Sequence, residues 1–98
     1  MAFQAFYNNF SHYESKSLYE LVKDYETDPN TAYNNLIDLM EQMFDDVLGV
    51  PVCEYRTTFL ATMREYMETF KDELNAMCER IIDDYEENKE KQEEQDPQ

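Results

Sequence analysis

The sequence predicts an all-α protein, a small bundle of about four helices with one long C-terminal helix and a frayed acidic tail. Three observations carry this expectation. Apolar residues recur at three- and four-residue spacing along most of the chain, the pattern of helices that each bury one face. Glycine occurs once and proline three times, so helix breakers fall at few points. Strand character is confined to VPVCEY, for which no partner strand is visible. Residues 1–90 read as a single helical domain and 91–98 as a disordered acidic tail. A chain of 98 residues buries about 60–65% of its unfolded surface, enough for one modest core.

The first element is MAFQAFYNNFSHYES, in which Phe3, Phe6, Tyr7, Phe10 and Tyr13 share one face of a short amphipathic helix that caps the core. Stacking on bases is disfavoured for this stripe, because the first fifteen residues hold no Lys or Arg. Ser17 followed by Glu20 fits a capping box, so SLYELVKDYET begins a second helix with Leu18, Leu21, Val22 and Tyr25 inward. Asp28-Pro29 starts a third. Asp accepts an orphan N–H as N-cap, and Pro at the first helical position has no N–H to lose. Its inward set is Tyr33, Leu36, Ile37, Met40, Met43, Phe44, Val47 and Leu48. Gly49 sits where a left-handed cap is needed, and Pro51 prevents continuation. The run from Thr57 to about Lys91 then reads as one long helix. It places Phe59, Leu60, Met63, Tyr66, Met67, Phe70, Leu74, Met77, Cys78, Ile81, Ile82 and Tyr85 in a sector of about 160°.

Charge is the dominant compositional fact. Asp and Glu total 23 against 8 Lys and Arg, for a formal net charge of -15. That exceeds the roughly 2–8 units that keep a small domain soluble, and it opposes compaction by self-repulsion. Such a surface disfavours direct binding to nucleic acid or an anionic membrane and favours a basic protein partner. On the long helix, Glu65, Glu68, Asp72, Glu79, Asp83, Glu86 and Glu90 fall opposite the apolar sector, with Glu94 beyond them. The basic residues of this run, Arg64, Lys71, Arg80, Lys89 and Lys91, lie along the borders of the apolar sector and leave the middle of the acidic stripe unneutralised. Asp38, Glu41 and Asp45 make a second, shorter row on the third helix. Carboxylates repeating about every 4.5–6 Å approach the spacing of backbone phosphates, although an outward charge run most often only solvates a helix.

Catalysis finds no footing in these residue types. His12 is the single histidine, and with Ser11 and Glu14 beside it in sequence it reads as surface or packing. Asp45-Asp46 and Asp83-Asp84 lack the alternating oxygen ligands around a central glycine that a calcium loop needs. Neither an inward Glu-x-x-His pair nor a glycine-rich phosphate loop occurs. We expect no enzyme, cofactor or metal. Cys53 and Cys78 would stand about 35 Å apart along one helix, so reduced structural thiols and a cytoplasmic setting are expected. No signal peptide or membrane-spanning run is visible.

The stretch Tyr7-Asn8-Asn9-Phe10, with His12 and Tyr13-Glu14 after it, and Tyr85-Glu86-Glu87 leading into an acidic end, resembles the phage anti-restriction DNA mimics of the Ocr type. The similarity covers roughly a tenth of the chain. It implies a phage protein, dimeric, whose carboxylates occupy the DNA groove of a host defence enzyme in the bacterial cytoplasm. The wider class includes inhibitors of CRISPR effectors. The expectation is therefore a nucleic-acid-mimicking inhibitor of a basic nucleic-acid-binding protein, a host nuclease or defence complex, acting through the two acidic rows. A second reading takes the chain as an acidic interaction module, an adaptor or chaperone for a basic protein, with Phe3, Phe6 and Phe10 as exposed anchors. A homodimer is compatible with either.

Overall fold

The computed structural model describes residues 2–95, with side-chain surroundings for residues 3–89. The described chain contains five α-helices and one 3-10 turn, and no strand. The helices are α1 (Ala2–Asn8), α2 (Ser15–Val22), α3 (Pro29–Asp46), α4 (Glu54–Glu65) and α5 (Lys71–Gln95), with the 3-10 turn at Phe10–His12 between α1 and α2. The all-α expectation holds. The expected count of about four does not, because the long C-terminal helix is divided in two.

The first helix is shorter than its aromatic stripe. Asn9 ends α1 by donating from Nδ2 to the Ala5 carbonyl at 2.7 Å, and the chain then tightens into the 3-10 turn. Phe6 and Phe10 both enter the core, at 1% and 4% exposure, which overturns their role as exposed anchors. Phe3 is half-buried.

The expected capping box is also absent. α2 begins at Ser15 with Glu14 as its N-cap, and Ser17 is an exposed residue inside the first turn. Contacts with α5 adjoin that start: Asn88 donates to Ser15 Oγ at 2.8 Å, and the Tyr19 and Tyr85 rings stack at 4.3 Å. α2 ends at Val22, and residues 23–27 form turns instead of the expected further helix.

The third helix follows its sequence signals closely. Asp28 accepts from the Thr31 N–H and the Thr31 hydroxyl, and Pro29 opens α3. Gly49 has φ 65°, and the Leu48 and Val50 N–H groups reach back to the Met43 and Phe44 carbonyls, satisfying acceptors that the helix end would orphan.

The division of the long helix falls at residues 66–70, YMETF, which contains neither Gly nor Pro. Tyr66 leaves helical geometry at φ -118° and ψ 42°, and short-range bonds from Thr69 to Tyr66 and from Phe70 to Met67 close the turn. Aromatic packing spans the turn. Phe3 meets both Phe59 at 6.3 Å and Phe70 at 6.0 Å, so those two rings lie at most about 12 Å apart, the sum of the two distances. In a straight helix eleven residues rise about 16.5 Å. Turning the chain lets one ring from α1 hold both aromatics.

α2 packs most extensively on α5 and also on α3, while α3 contacts α4, and α1 contacts α5. The centre holds Leu36, Ile37, Met40 and Met43 of α3 against Leu74, Met77, Cys78 and Ile81 of α5. Tyr66, expected inward, is instead 52% exposed at the end of α4. α5 continues to Gln95, and residues 96–98 of the expected tail lie outside the described residues.

Candidate functional site

The two acidic rows occupy different surroundings. On α3, Asp38, Glu41 and Asp45 all face outward, yet each is met by an arginine from α4. Arg64 donates through one nitrogen to Asp38 at 3.0 Å and Glu41 at 3.2 Å. Arg56 pairs with Asp45 at 2.6 Å and is itself only 4% exposed.

Arg56 was not among the residues singled out in the sequence. Its position, four before Leu60 and seven before Met63, puts it on the buried stripe of α4, and that spacing is the signal that marks it. Burial is tolerated because the guanidinium has several partners. It donates to the Val50 carbonyl at 3.0 Å and the Glu41 carbonyl at 3.5 Å, and its carbon lies 5.6 Å from the centre of the Phe44 ring. A cation placed at the C-terminal end of α3 also complements the helix dipole. The hydrogen bond from Arg56 holds the Asp45 carboxyl below its ordinary value, while the bonds to Asp45 and Asp38 raise Arg56 and Arg64 respectively.

On α5 four carboxylates differ from those of α3. Asp72, Glu79, Asp83 and Glu86 are exposed, and none makes an ion pair among the described residues. They fall within a sector of about 60°, opposite Leu74, Cys78 and Ile81. Their successive rises are roughly 10.5, 6 and 4.5 Å. The cations of this helix lie to the sides: Arg80 pairs with Asp84 at 3.2 Å, and Lys71 with Glu68 at 3.4 Å.

The expected seven-member row is therefore not one helical register. Glu65 ends α4, Glu68 lies in the turn, and only Asp72, Glu79, Asp83 and Glu86 share described positions on α5. The side chains of Glu90 and Glu94 lie outside the described residues.

The remaining groups have structural surroundings. Cys78 is fully buried, and desolvation pushes its thiol up to about 12. Cys53 is exposed at the N-cap of α4, so the expectation of two structural thiols holds for Cys78 alone. The break between α4 and α5 also removes the single-helix separation argued for the pair. A cleft between α1, α2 and α5 is lined by Tyr7, Asn8, Ser15, Arg80, Asp84 and Asn88 among others, and its one guanidinium is already paired. No group of three His, Cys, Asp or Glu suited to a metal occurs among the described residues, and no described helix is long and apolar enough to cross a membrane. No family model, curated protein or solved structure matches the chain.

Proposed function

We propose that the protein is an inhibitor that works by nucleic-acid mimicry, presenting the α5 carboxylates to the basic DNA- or RNA-binding groove of a host nuclease or defence complex, a restriction or CRISPR effector, in the bacterial cytoplasm. The observation that carries this reading is the row Asp72, Glu79, Asp83 and Glu86, exposed on one face without an ion pair among the described residues, while both arginines of α4 neutralise the α3 row. A surface meant only for solubility gains nothing from keeping its cations away from one helix face, since opposed pairs along a helix add stability. Competition is electrostatic and steric, without turnover, cofactor or metal. Asp38, Glu41 and Asp45 serve mainly to hold α3 to α4, and Glu65 and Glu68, on α4 and in the turn, stand outside the α5 row.

Long-range attraction of this kind gives fast association that salt weakens, because exposed charges are screened within about 10 Å at 0.1 M. The test is capture from a bacterial lysate with wild type and with a variant carrying Asp72→Asn, Glu79→Gln, Asp83→Asn and Glu86→Gln, at low and moderate salt. The expected result is a nucleic-acid-binding protein recovered by wild type alone, lost as salt rises and displaced by duplex DNA or RNA. Equal recovery of a partner by both proteins, indifferent to salt and to nucleic acid, contradicts the proposal. The competing interaction-module reading loses its stated anchors, since Phe6 and Phe10 belong to the core.

A further inference from the structure

One exposed strip of this acidic molecule is nearly free of charge. Between Val47 and Met63 the single exposed charged side chain is Glu54, because Arg56 is buried. The large hydrophobic residues that stand most exposed, Val52 at 77%, Tyr55 at 66% and Tyr66 at 52%, lie on α4 or at its two ends. Tyr55, Thr58, Phe59 and Thr62 recur at i, i+3, i+4 and i+7, so they form one ridge along α4, and the exposed Tyr66 follows at the helix's C-cap, about 16 Å from Tyr55. Glu54, Tyr55, Thr58, Phe59 and Thr62 line a shallow open depression along it. At its inner edge the ridge continues through Phe59 onto Phe3.

Among the described residues, the exposed α4 charges that border this ridge have one sign. Glu54 and Glu65 are exposed on its outer edge, three turns apart. The two cations of α4 are turned away, Arg56 into the core and Arg64 toward Asp38 and Glu41. A second copy of the chain is a poor occupant. An antiparallel pairing of two α4 ridges sets Glu54 of each against Glu65 of the other, and brings together two chains of net charge -15. A straight ridge one helix wide, apolar along its middle and acidic at its edge, is complementary to a helix of the opposite pattern.

We infer that the α4 ridge is a docking surface for an amphipathic basic helix of a partner protein, whose apolar stripe seats on Tyr55, Phe59 and Tyr66 and whose lysines or arginines meet Glu54 and Glu65. This surface is separate from the α5 row, and the inference does not rest on mimicry.

The test uses the full chain and two helical peptides of about 18 residues made of Leu and Lys, five turns long. One has its leucines on a single face, and the other has the same composition permuted so that no apolar face forms. Amide shifts of the labelled protein are mapped on titration with each. The segregated peptide is expected to move residues 52–66 and to lose affinity about tenfold when Tyr55→Ser and Tyr66→Ser are combined. The permuted peptide is expected to bind more weakly and to be indifferent to those substitutions. The quadruple α5 variant retains the segregated-peptide footprint, so failure of the mimicry reading leaves this one standing. A wild-type footprint confined to α5 overturns the inference without any variant. So does unchanged affinity in the double variant, or a wild-type dimer in sedimentation that the double variant turns into a monomer.

Discussion

The acidic row of α3 and the acidic row of α5 arise from the same kind of pattern and end in opposite circumstances. Both place carboxylates at helical spacing on the side away from the core. On α3, Asp38, Glu41 and Asp45 meet Arg64 and Arg56 from the neighbouring helix and become part of what joins α3 to α4. On α5, Asp72, Glu79, Asp83 and Glu86 are exposed and make no ion pair among the described residues. Outward direction is a property of one helix, whereas the neutralisation of the α3 row comes from a second. A row's use is therefore decided by what packs beside it.

The comparison breaks most sharply at Arg56. Removing it by Arg56→Ala leaves the Val50 carbonyl and the Asp45 carboxylate without this partner and opens space beside Phe44. The expected loss is about 10 °C in melting temperature, read by circular dichroism. Arg56→Lys, which keeps the charge and loses the planar fork, is expected to fall between the two. A melting temperature within a degree or two of wild type for Arg56→Ala would remove the distinction between the rows.

A smaller effect sharpens the same point through pH. The Asp45 carboxyl in the folded protein lies below its ordinary 3.8, so the unfolded chain takes up that proton first as pH falls. The contribution of the Arg56–Asp45 pair is therefore complete above about pH 4 and is lost as pH drops through the folded value. Unfolding measured across acid pH should show a shallower decline below pH 4 for Asp45→Asn than for wild type. Parallel curves would show that the pair adds nothing.

Much of the architecture is legible in the sequence where its cause is local. Asp28-Pro29 and Gly49 delimit α3 because capping and left-handed backbone depend on neighbouring residues alone. The inward sets of α3 and α5 and the exposure of the acidic residues follow from helical period. What escapes is non-local. The turn at residues 66–70 carries no breaker, and Phe3, more than fifty residues away, packs against both Phe59 and Phe70 across it. α2 starts at Ser15, ahead of the Ser17–Glu20 pair, where Asn88 and Tyr85, more than sixty residues away, meet Ser15 and Tyr19. Periodicity gives the α5 face of the candidate site, but the arginines that neutralise the α3 row become visible only when α4 is placed beside α3.

Thermal unfolding of two charge-neutralised proteins, measured side by side in the same low-salt buffer, tests the central claim most directly. One carries Asp38→Asn, Glu41→Gln and Asp45→Asn; the other carries Asp72→Asn, Glu79→Gln, Asp83→Asn and Glu86→Gln. The α3 set is expected to lower the melting temperature by about 5–10 °C, through loss of its cross-helix pairs. The α5 set is expected to leave it unchanged or raise it, since removing unpaired like charges relieves repulsion. A fall in the α5 set equal to or larger than that in the α3 set would show that the α5 carboxylates are structural, and would contradict the account.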